Sequence, residues 1–204
     1  MTKILFICLG NICRSPMAEF VMKDLVEKAG LADEFQIDSA ATCRDEIGNP
    51  VYPPARRKLA EHGISCEGHA ARQLTAQDYE EYDLLIGMEG ANLKNMQRIC
   101  GGDPAGKMHR LLDYTDRPGD VADPWYTGDF EATWRDVSEG CKCLLAEIEK
   151  IVGADAALQH RRRPRGAEKV ARVDQGTESG AELRCVHRQP RFRCQTGRDY
   201  IIKE

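Results

Sequence analysis

An eight-residue segment near the amino terminus has the residue types and spacing of a phosphate site. Residues 8–15 read CLGNICRS, between an apolar run that predicts a strand and a segment that predicts a helix. A loop that runs into a helix amino terminus directs several backbone N–H groups at one point, where the helix dipole favours negative charge. We therefore expect this loop to bind an oxyanion of the size of phosphate.

Three residues of the segment give it chemistry beyond anion binding. Gly10 permits backbone conformations that a side chain would forbid. Arg14 offers a planar charged fork that can bind two phosphate oxygens together. Cys8 lies at the mouth of the same positive environment, which favours a thiolate placed for in-line attack on phosphorus. The candidate phosphate-binding residues are Leu9, Gly10, Asn11, Ile12, Cys13, Arg14 and Ser15.

The elements that position this loop follow from hydrophobic patterning. Lys3–Cys8 is typical of a buried parallel strand, and Ser15-Pro16 predicts a helix start with Ser15 as its cap. Further strands are predicted at Phe35–Ser39, Asp83–Met88 and His109–Leu112, and helices at Ala55–His62, Thr75–Tyr82, Ala91–Cys100 and Phe130–Ile151. This alternation predicts an α/β fold, a small doubly wound four-stranded parallel sheet flanked by helices, with a C-terminal extension and its active site at the strand carboxyl ends.

The charge distribution divides the chain near Gly153. Residues 1–153 carry 17 Lys and Arg against 26 Asp and Glu, a net charge of −9, whereas residues 154–204 carry 12 against 7, a net charge of +5. We predict a catalytic domain over 1–153 and a basic, poorly ordered tail over 154–204, because the tail has little apolar periodicity. The acidic body argues against nucleic acid as a partner, since contacts to phosphate dominate that affinity.

The location of the protein is predicted from what its sequence lacks. No apolar stretch approaches the ~18 residues of a membrane-spanning helix. The run from Ile4 to Leu9 is too short and too soon followed by polar residues to be an export signal. The nine cysteines are odd in number and have no metal-ligand spacing. We therefore expect a cytoplasmic protein with reduced thiols, no membrane contact and no metal or cofactor.

The loop and several later motifs resemble the low-molecular-weight protein tyrosine phosphatases. The signature of that family, Cys-x-Gly-Asn-x-Cys-Arg-Ser, is present at every fixed position of residues 8–15. The similarity continues through Ser39, His69 in the segment HAARQLT, the strand at 83–88 with Asn92, and Asp123-Pro124-Trp125-Tyr126. It covers about residues 3–152 and leaves the tail without a counterpart.

This resemblance implies hydrolysis of phosphotyrosine in proteins and of small aryl phosphates. Cys8 would be the nucleophile that forms a cysteinyl-phosphate, and Arg14 would clamp the phosphate. Asp123 would protonate the leaving phenolate and later activate water. Chemistry supports Asp123 independently, because a phenolate leaving group needs a proton donor opposite the nucleophile. The partners would be phosphotyrosine-containing proteins, with the oligomeric state left open.

The same resemblance implies a network that supports the loop. Ser15 resembles the residue whose hydroxyl supports the thiolate, and Asn11, Ser39 and His69 resemble residues that brace the loop. Cys13 would join Cys8 in the reversible disulfide by which family members are inactivated.

The walls of the substrate cleft are predicted less completely. Trp125 and Tyr126 would form them, because aromatic rings grip a phenyl ring well, although core packing is the alternative for one of the two. The family often has another aromatic residue in the loop after the second strand. Residues 42–46 read TCRDE and offer none, and Tyr52 lies nearby in the sequence.

Three other functions fit part of the pattern. A thioredoxin-coupled arsenate reductase needs two further cysteines, one of them after the third strand, where this chain has Gly87-Met88-Glu89. A phosphoarginine phosphatase usually has Thr where Ile12 stands. A non-catalytic phosphate-binding module would not need Cys8, Arg14 and Asp123 together.

Overall fold

Four parallel strands form the centre of the structure. The computed structural model describes residues 1–162. Its strands are β1 (Thr2–Cys8), β2 (Phe35–Ala41), β3 (Leu84–Gly87) and β4 (Met108–Arg110), in the spatial order β2-β1-β3-β4. The register places Cys8 beside Ala41 and Ile7 beside Gly87. The carboxyl ends of three adjacent strands therefore meet at one edge of the sheet.

Helices cover both faces of this sheet. They are α1 (Arg14–Lys28), α2 (Pro53–Glu61), α3 (Ala76–Glu81), α4 (Gly90–Cys100), α5 (Pro124–Thr127) and α6 (Phe130–Arg162). Ile4 and Phe6 of β1 belong to a core shared with α1 and α6, whereas Leu5 and Ile7 belong to a second core shared with α3 and α4. The predicted fold class, a doubly wound four-stranded parallel sheet, is confirmed.

The described residues fall into two units, Met1–Lys150 and a second that begins at Ile151. The first contains the whole sheet. Helix α6 continues past the charge boundary at Gly153 and ends at Arg162. The rest of the predicted tail, residues 163–204, lies outside the described residues. No helix in the described part of the chain is long and apolar enough to cross a bilayer.

The fourth strand is shorter than the prediction of His109–Leu112. β4 ends at Arg110, and Leu111–Tyr114 form a 3-10 turn. Leu111 and Leu112 both pack into the core shared with α1 and α6, whereas successive side chains of a strand point to opposite faces of the sheet. Asp113 closes the turn by accepting a hydrogen bond from the backbone N–H of Arg110 at 3.2 Å.

The predicted cap of the first helix is also wrong. Helix α1 begins at Arg14, with Cys13 in the N-cap position and no side-chain cap. Ser15 lies inside the first turn, where its hydroxyl is 3.1 Å from Cys8 Sγ. Ser15 is the second residue of the helix, so it does not occupy the N-cap position, and its hydroxyl is directed into the loop instead.

A substitution at Gly140 should destabilise the fold, because α6 passes very close to the 3-10 turn there. A Cβ at Gly140 would lie 2.5 Å from Leu111 Cγ and 3.0 Å from its Cδ1. We expect Gly140→Ala to lower the free energy of unfolding by about 1–2 kcal/mol, because overpacking outweighs the ~1 kcal/mol gain in helix propensity. Unfolding in urea measures this change in the free energy of unfolding. Gly90→Ala is the control, since no atom lies within 4 Å of its Cβ position, and an equal effect at both sites would contradict the account.

Candidate active site

The nucleophile candidate ends the central strand and begins the loop at residues 8–15. Cys8 is 3 % exposed, and its sulfur accepts a hydrogen bond from the backbone N–H of Asn11 at 3.3 Å. The Ser15 hydroxyl lies 3.1 Å from the same sulfur. Two hydrogen-bonding groups thus stand beside a sulfur that would carry negative charge as a thiolate.

Asn11 holds the loop in its unusual shape. Its φ of 58° makes it the one non-glycine residue with positive φ in the described part of the chain. The side-chain amide donates to Ser39 Oγ at 2.7 Å and to Ser15 Oγ at 3.0 Å, while its oxygen accepts from the backbone N–H of Arg72 at 3.1 Å. These bonds offset the cost of the left-handed conformation, which Asn tolerates better than most residues.

Gly10 is required for a different reason from the one predicted. The left-handed residue of the loop is Asn11, and Gly10 is not among the positive-φ glycines. A Cβ at Gly10 would lie 3.2 Å from Glu46 Cγ, so the loop after β2 approaches the backbone closely. Glycine is needed at position 10 because the side chain of Glu46 comes close to it. The residue that needs the left-handed conformation is the next one, Asn11.

A buried pair of ionisable groups supports the loop from below. His69 Nε2 donates to the Asn11 carbonyl at 2.9 Å, and Ser39 Oγ donates to Glu19 Oε2 at 2.5 Å. His69 Nδ1 lies 3.7 Å from Glu19 Oε2. Burial alone would raise the pKa of Glu19, but hydrogen bonds from His69, Lys23 and Ser39 lower it. Burial would likewise lower the pKa of His69, yet its bonds to Glu19 and Asn11 raise it.

Arg14 lies between two carboxylates at the carboxyl edge of the sheet. Its Nη1 and Nη2 donate to Glu89 Oε2 and Oε1 at 2.9 and 3.4 Å, and Nη2 lies 2.6 Å from Asp123 Oδ2. Burial opposes the charge, but the hydrogen bond that Arg14 donates to Glu89 and the nearby carboxylates raise the pKa of the guanidinium. Glu89 therefore fixes the orientation of the fork.

Asp123 is held at the start of the short helix α5. Its Oδ1 accepts from the backbone N–H of Trp125 at 3.0 Å, and Pro124 follows in the first turn. The carboxyl group is partly exposed, whereas the Arg14 side chain that it contacts is buried. A capped, proline-started turn thus aims one carboxyl oxygen at the phosphate loop.

The loop and Asp123 share one cavity of about 230 Å³. Its lining combines the predicted loop residues with three acidic side chains and two aromatic rings: Cys8, Leu9, Gly10, Ile12, Cys13, Arg14, Cys43, Asp45, Glu46, Asp123, Trp125 and Tyr126. Trp125 and Tyr126 are 56 % and 80 % exposed, so neither is a core residue. The ring of Tyr52 packs 5.4 Å from that of Trp125 and supports this wall.

Cys13 differs from Cys8 although both line the cavity. Burial and the neighbouring Cys8 and Asp123 raise the pKa of the Cys13 thiol to about 12. Cys13 is therefore protonated at neutral pH and is a poor nucleophile.

The structure brings every sequence-predicted site residue to this region, either on the cavity wall or beneath the loop. Sequence reasoning missed Glu89, Glu19 and the acidic pair Asp45 and Glu46. Glu89 could have been found, because it follows the end of β3, next to β1 in the sheet. Glu19 could also have been predicted, because it lies one helical turn after Ser15 and therefore on the same face of the helix. No group of three potential metal ligands occurs among the described residues.

A thiol, a guanidinium and a carboxyl group lie around a loop of oxyanion size, an arrangement that fits a phosphate monoester. Comparison with known proteins agrees. Residues 3–154 match the family model for low molecular weight phosphotyrosine protein phosphatase. The chain is 41 % identical to the low molecular weight protein-tyrosine-phosphatase YfkJ of Bacillus subtilis, over 74 % of this chain and 97 % of that protein. It is 37 % identical to low molecular weight phosphotyrosine protein phosphatase 1 of Drosophila melanogaster, over 71 % and 96 %.

Solved structures agree in fold. The crystal structure of YfkJ superposes with a TM-score of 0.72 over 74 % of this chain and 96 % of that one. A low molecular weight protein tyrosine phosphatase from Streptococcus pyogenes, 39 % identical, gives 0.65 over 72 % and 92 %. The chain belongs to the low molecular weight phosphotyrosine protein phosphatase family, which confirms the family and the class of enzyme predicted from the sequence.

Proposed function

We propose that this protein hydrolyses phosphotyrosine in proteins through a cysteinyl-phosphate on Cys8. The observation that carries the proposal is that Cys8, Arg14 and Asp123 line one cavity. The nine cysteines, which are odd in number, favour a protein with reduced thiols and therefore phosphoproteins of the cytoplasm as substrates.

Binding would use the loop amides and one edge of Arg14. Glu89 holds the edge formed by Nη1 and Nη2. The edge formed by Nε and Nη2 is then available to two phosphate oxygens, once the phosphate displaces the Asp123 carboxylate from Nη2. The Asp123 carboxyl group then lies beside the bound phosphate, where it can act as the proton donor of the first chemical step.

The first step transfers the phosphoryl group to sulfur. The Cys8 thiolate attacks phosphorus, the bond from phosphorus to the tyrosine oxygen breaks, and Asp123 gives its proton to the leaving phenolate. In the second step, the Asp123 carboxylate takes a proton from water as that water attacks phosphorus. The phosphorus–sulfur bond breaks, and phosphate and the Cys8 thiolate are released.

Turnover assays in a buffer with EDTA test this function. We expect the protein to hydrolyse para-nitrophenyl phosphate and a phosphotyrosine peptide, and to act far more slowly on a matched phosphoserine peptide, whose short side chain lacks a ring for Trp125 and Tyr126. Phosphate binding without turnover would favour the non-catalytic module. Arsenate reduction coupled to thioredoxin would favour the arsenate reductase. Faster release of phosphate from phosphoarginine than from phosphotyrosine would favour the phosphoarginine phosphatase.

Oxidation should inactivate the enzyme reversibly. Peroxide would convert the Cys8 thiolate to a sulfenic acid, and the Cys13 thiol would then condense with it, release water and form a Cys8–Cys13 disulfide. We expect dithiothreitol to restore activity in wild type and in Cys43→Ala, but not fully in Cys13→Ala, where Cys8 lacks its protecting partner. Cys43 is the matched control because it lines the same cavity. Peptide mapping that joined Cys8 to Cys43 would contradict this pairing.

A further inference from the structure

The mouth of the active-site cavity is unusually apolar for an exposed surface. The large hydrophobic side chains that the described residues leave exposed are Met1, Leu9, Ile47, Trp125 and Tyr126. Leu9, Trp125 and Tyr126 line the cavity, and Ile47 follows the lining residue Glu46. Exposed apolar side chains grouped around one cleft mark a surface that contacts another molecule. A substrate protein therefore has contacts here beyond its phosphotyrosine.

The same mouth carries two carboxylates that have no cation partner among residues 1–162. Asp45 and Glu46 line the cavity, and neither takes part in an ion pair within the described residues. Glu46 has a defined position, because Asn49 Nδ2 donates to its Oε2 at 2.7 Å, and its Cγ lies 3.2 Å from the position that a Cβ of Gly10 would take. Arg44, the cation between Cys43 and Asp45, is directed away to Gln73, whose Oε1 accepts from its Nε at 2.7 Å.

The cation at the floor of the cavity does not offset this negative charge. Arg14 already pairs with Glu89 and Asp123. A bound phosphate adds further negative charge on the floor, so the mouth stays negative when a substrate binds. Side chains of the substrate that flank the phosphotyrosine must lie against this mouth.

We propose that Asp45 and Glu46 make the enzyme select phosphotyrosine with Lys or Arg among its neighbouring residues. This inference rests on the proposed function and adds the class of substrate. The carboxylates attract a basic neighbour and repel an acidic one. The selection acts on peptides and proteins, because a small aryl phosphate has no flanking residues that reach the mouth.

Two matched phosphotyrosine peptides test the proposal, one with Arg and Lys on both sides of the phosphotyrosine and one with Glu at the same positions. We expect kcat/KM of wild type to favour the basic peptide by about ten-fold at low salt, the size that two solvent-exposed ion pairs produce. The ratio should fall as salt rises, because these charges are exposed to solvent. In the double variant Asp45→Asn, Glu46→Gln the ratio should fall to near one.

The chain provides a closely matched control in Asp33 and Glu34. These adjacent acidic residues are exposed and precede β2, at the opposite edge of the sheet from the cavity. Asp33→Asn, Glu34→Gln makes the same change in net charge and should keep the ten-fold ratio. Equal rates on both peptides with wild type, or the same ratio in the Asp45 and Glu46 variant, would overturn the proposal. So would loss of the ratio in the control, because net charge would then explain the preference.

Wild-type turnover of para-nitrophenyl phosphate separates this proposal from the proposed function. If that small substrate is hydrolysed and the two peptides react equally, the charge selection is wrong and the phosphatase function stands. If none of the three substrates is hydrolysed, the proposed function is wrong, and the selection that rests on it is wrong as well.

Discussion

Replacing Cys8 by serine should abolish turnover while phosphate still binds. A serine hydroxyl at this site is protonated and attacks phosphorus poorly, whereas the loop amides and Arg14, which hold the oxyanion, are unchanged. We expect kcat to fall by about 10⁴-fold or more, as when a covalent nucleophile is removed from other enzymes. Phosphate should bind with an affinity within a few-fold of wild type, which titration calorimetry can measure.

The control for this variant is Cys100→Ser. Cys100 ends helix α4, outside the cavity, and should tolerate the same replacement with little change in activity. Activity of Cys8→Ser near that of wild type would show that another residue is the nucleophile. Loss of phosphate binding together with activity would instead show that Cys8 has a structural role in the loop.

Replacing Asp123 by asparagine should slow the reaction by an amount that depends on the leaving group. Asn keeps an oxygen that can accept from the backbone N–H of Trp125, as Asp123 Oδ1 does at 3.0 Å, so the loop should keep its shape. The variant cannot donate a carboxyl proton. We expect a loss of about 10²–10⁴-fold in kcat on phosphotyrosine peptides, whose phenol is a weak acid. The loss should be smaller on aryl phosphates whose phenols are strongly acidic.

A series of aryl phosphates measures this dependence. In wild type, the rate of phosphoryl transfer to Cys8 should vary little along the series, and in Asp123→Asn it should fall steeply as the phenol becomes less acidic. Asp120→Asn is the control, because Asp120 is also a nearby carboxylate but contacts Arg110 and the Gly90 backbone instead. An equal loss for every leaving group would assign Asp123 a positioning role only.

The parts of the site that were predictable from the sequence are those fixed by local order. The loop at residues 8–15 follows a buried strand and precedes a helix, so its place at the carboxyl edge of a parallel sheet follows from topology. Asp123 was found because its chemistry and the resemblance agree. The doubly wound fold followed from the alternation of apolar runs and helical patterns.

The parts that were missed depend on side-chain directions between distant segments. Glu89 meets Arg14 across 75 positions of sequence, and only the order of the strands, with β3 beside β1, could have indicated that contact. The capping role assigned to Ser15 was reasonable for a serine before a proline, yet the hydroxyl contacts Cys8 instead. The role of Gly10 depends on Glu46, whose approach comes from the loop after β2.

A cysteinyl-phosphate on Cys8 is the central claim, and direct capture of that intermediate tests it. Wild type and Asp123→Asn are mixed with a ³²P-labelled aryl phosphate that has a strongly acidic phenol, quenched within milliseconds, and digested. Label should appear on the peptide between Lys3 and Arg14, fragmentation should locate it on Cys8 and not on Cys13, and more should accumulate in the variant because hydrolysis is slowed. Label on any other residue, or none in a variant that still releases the phenol, would contradict the account.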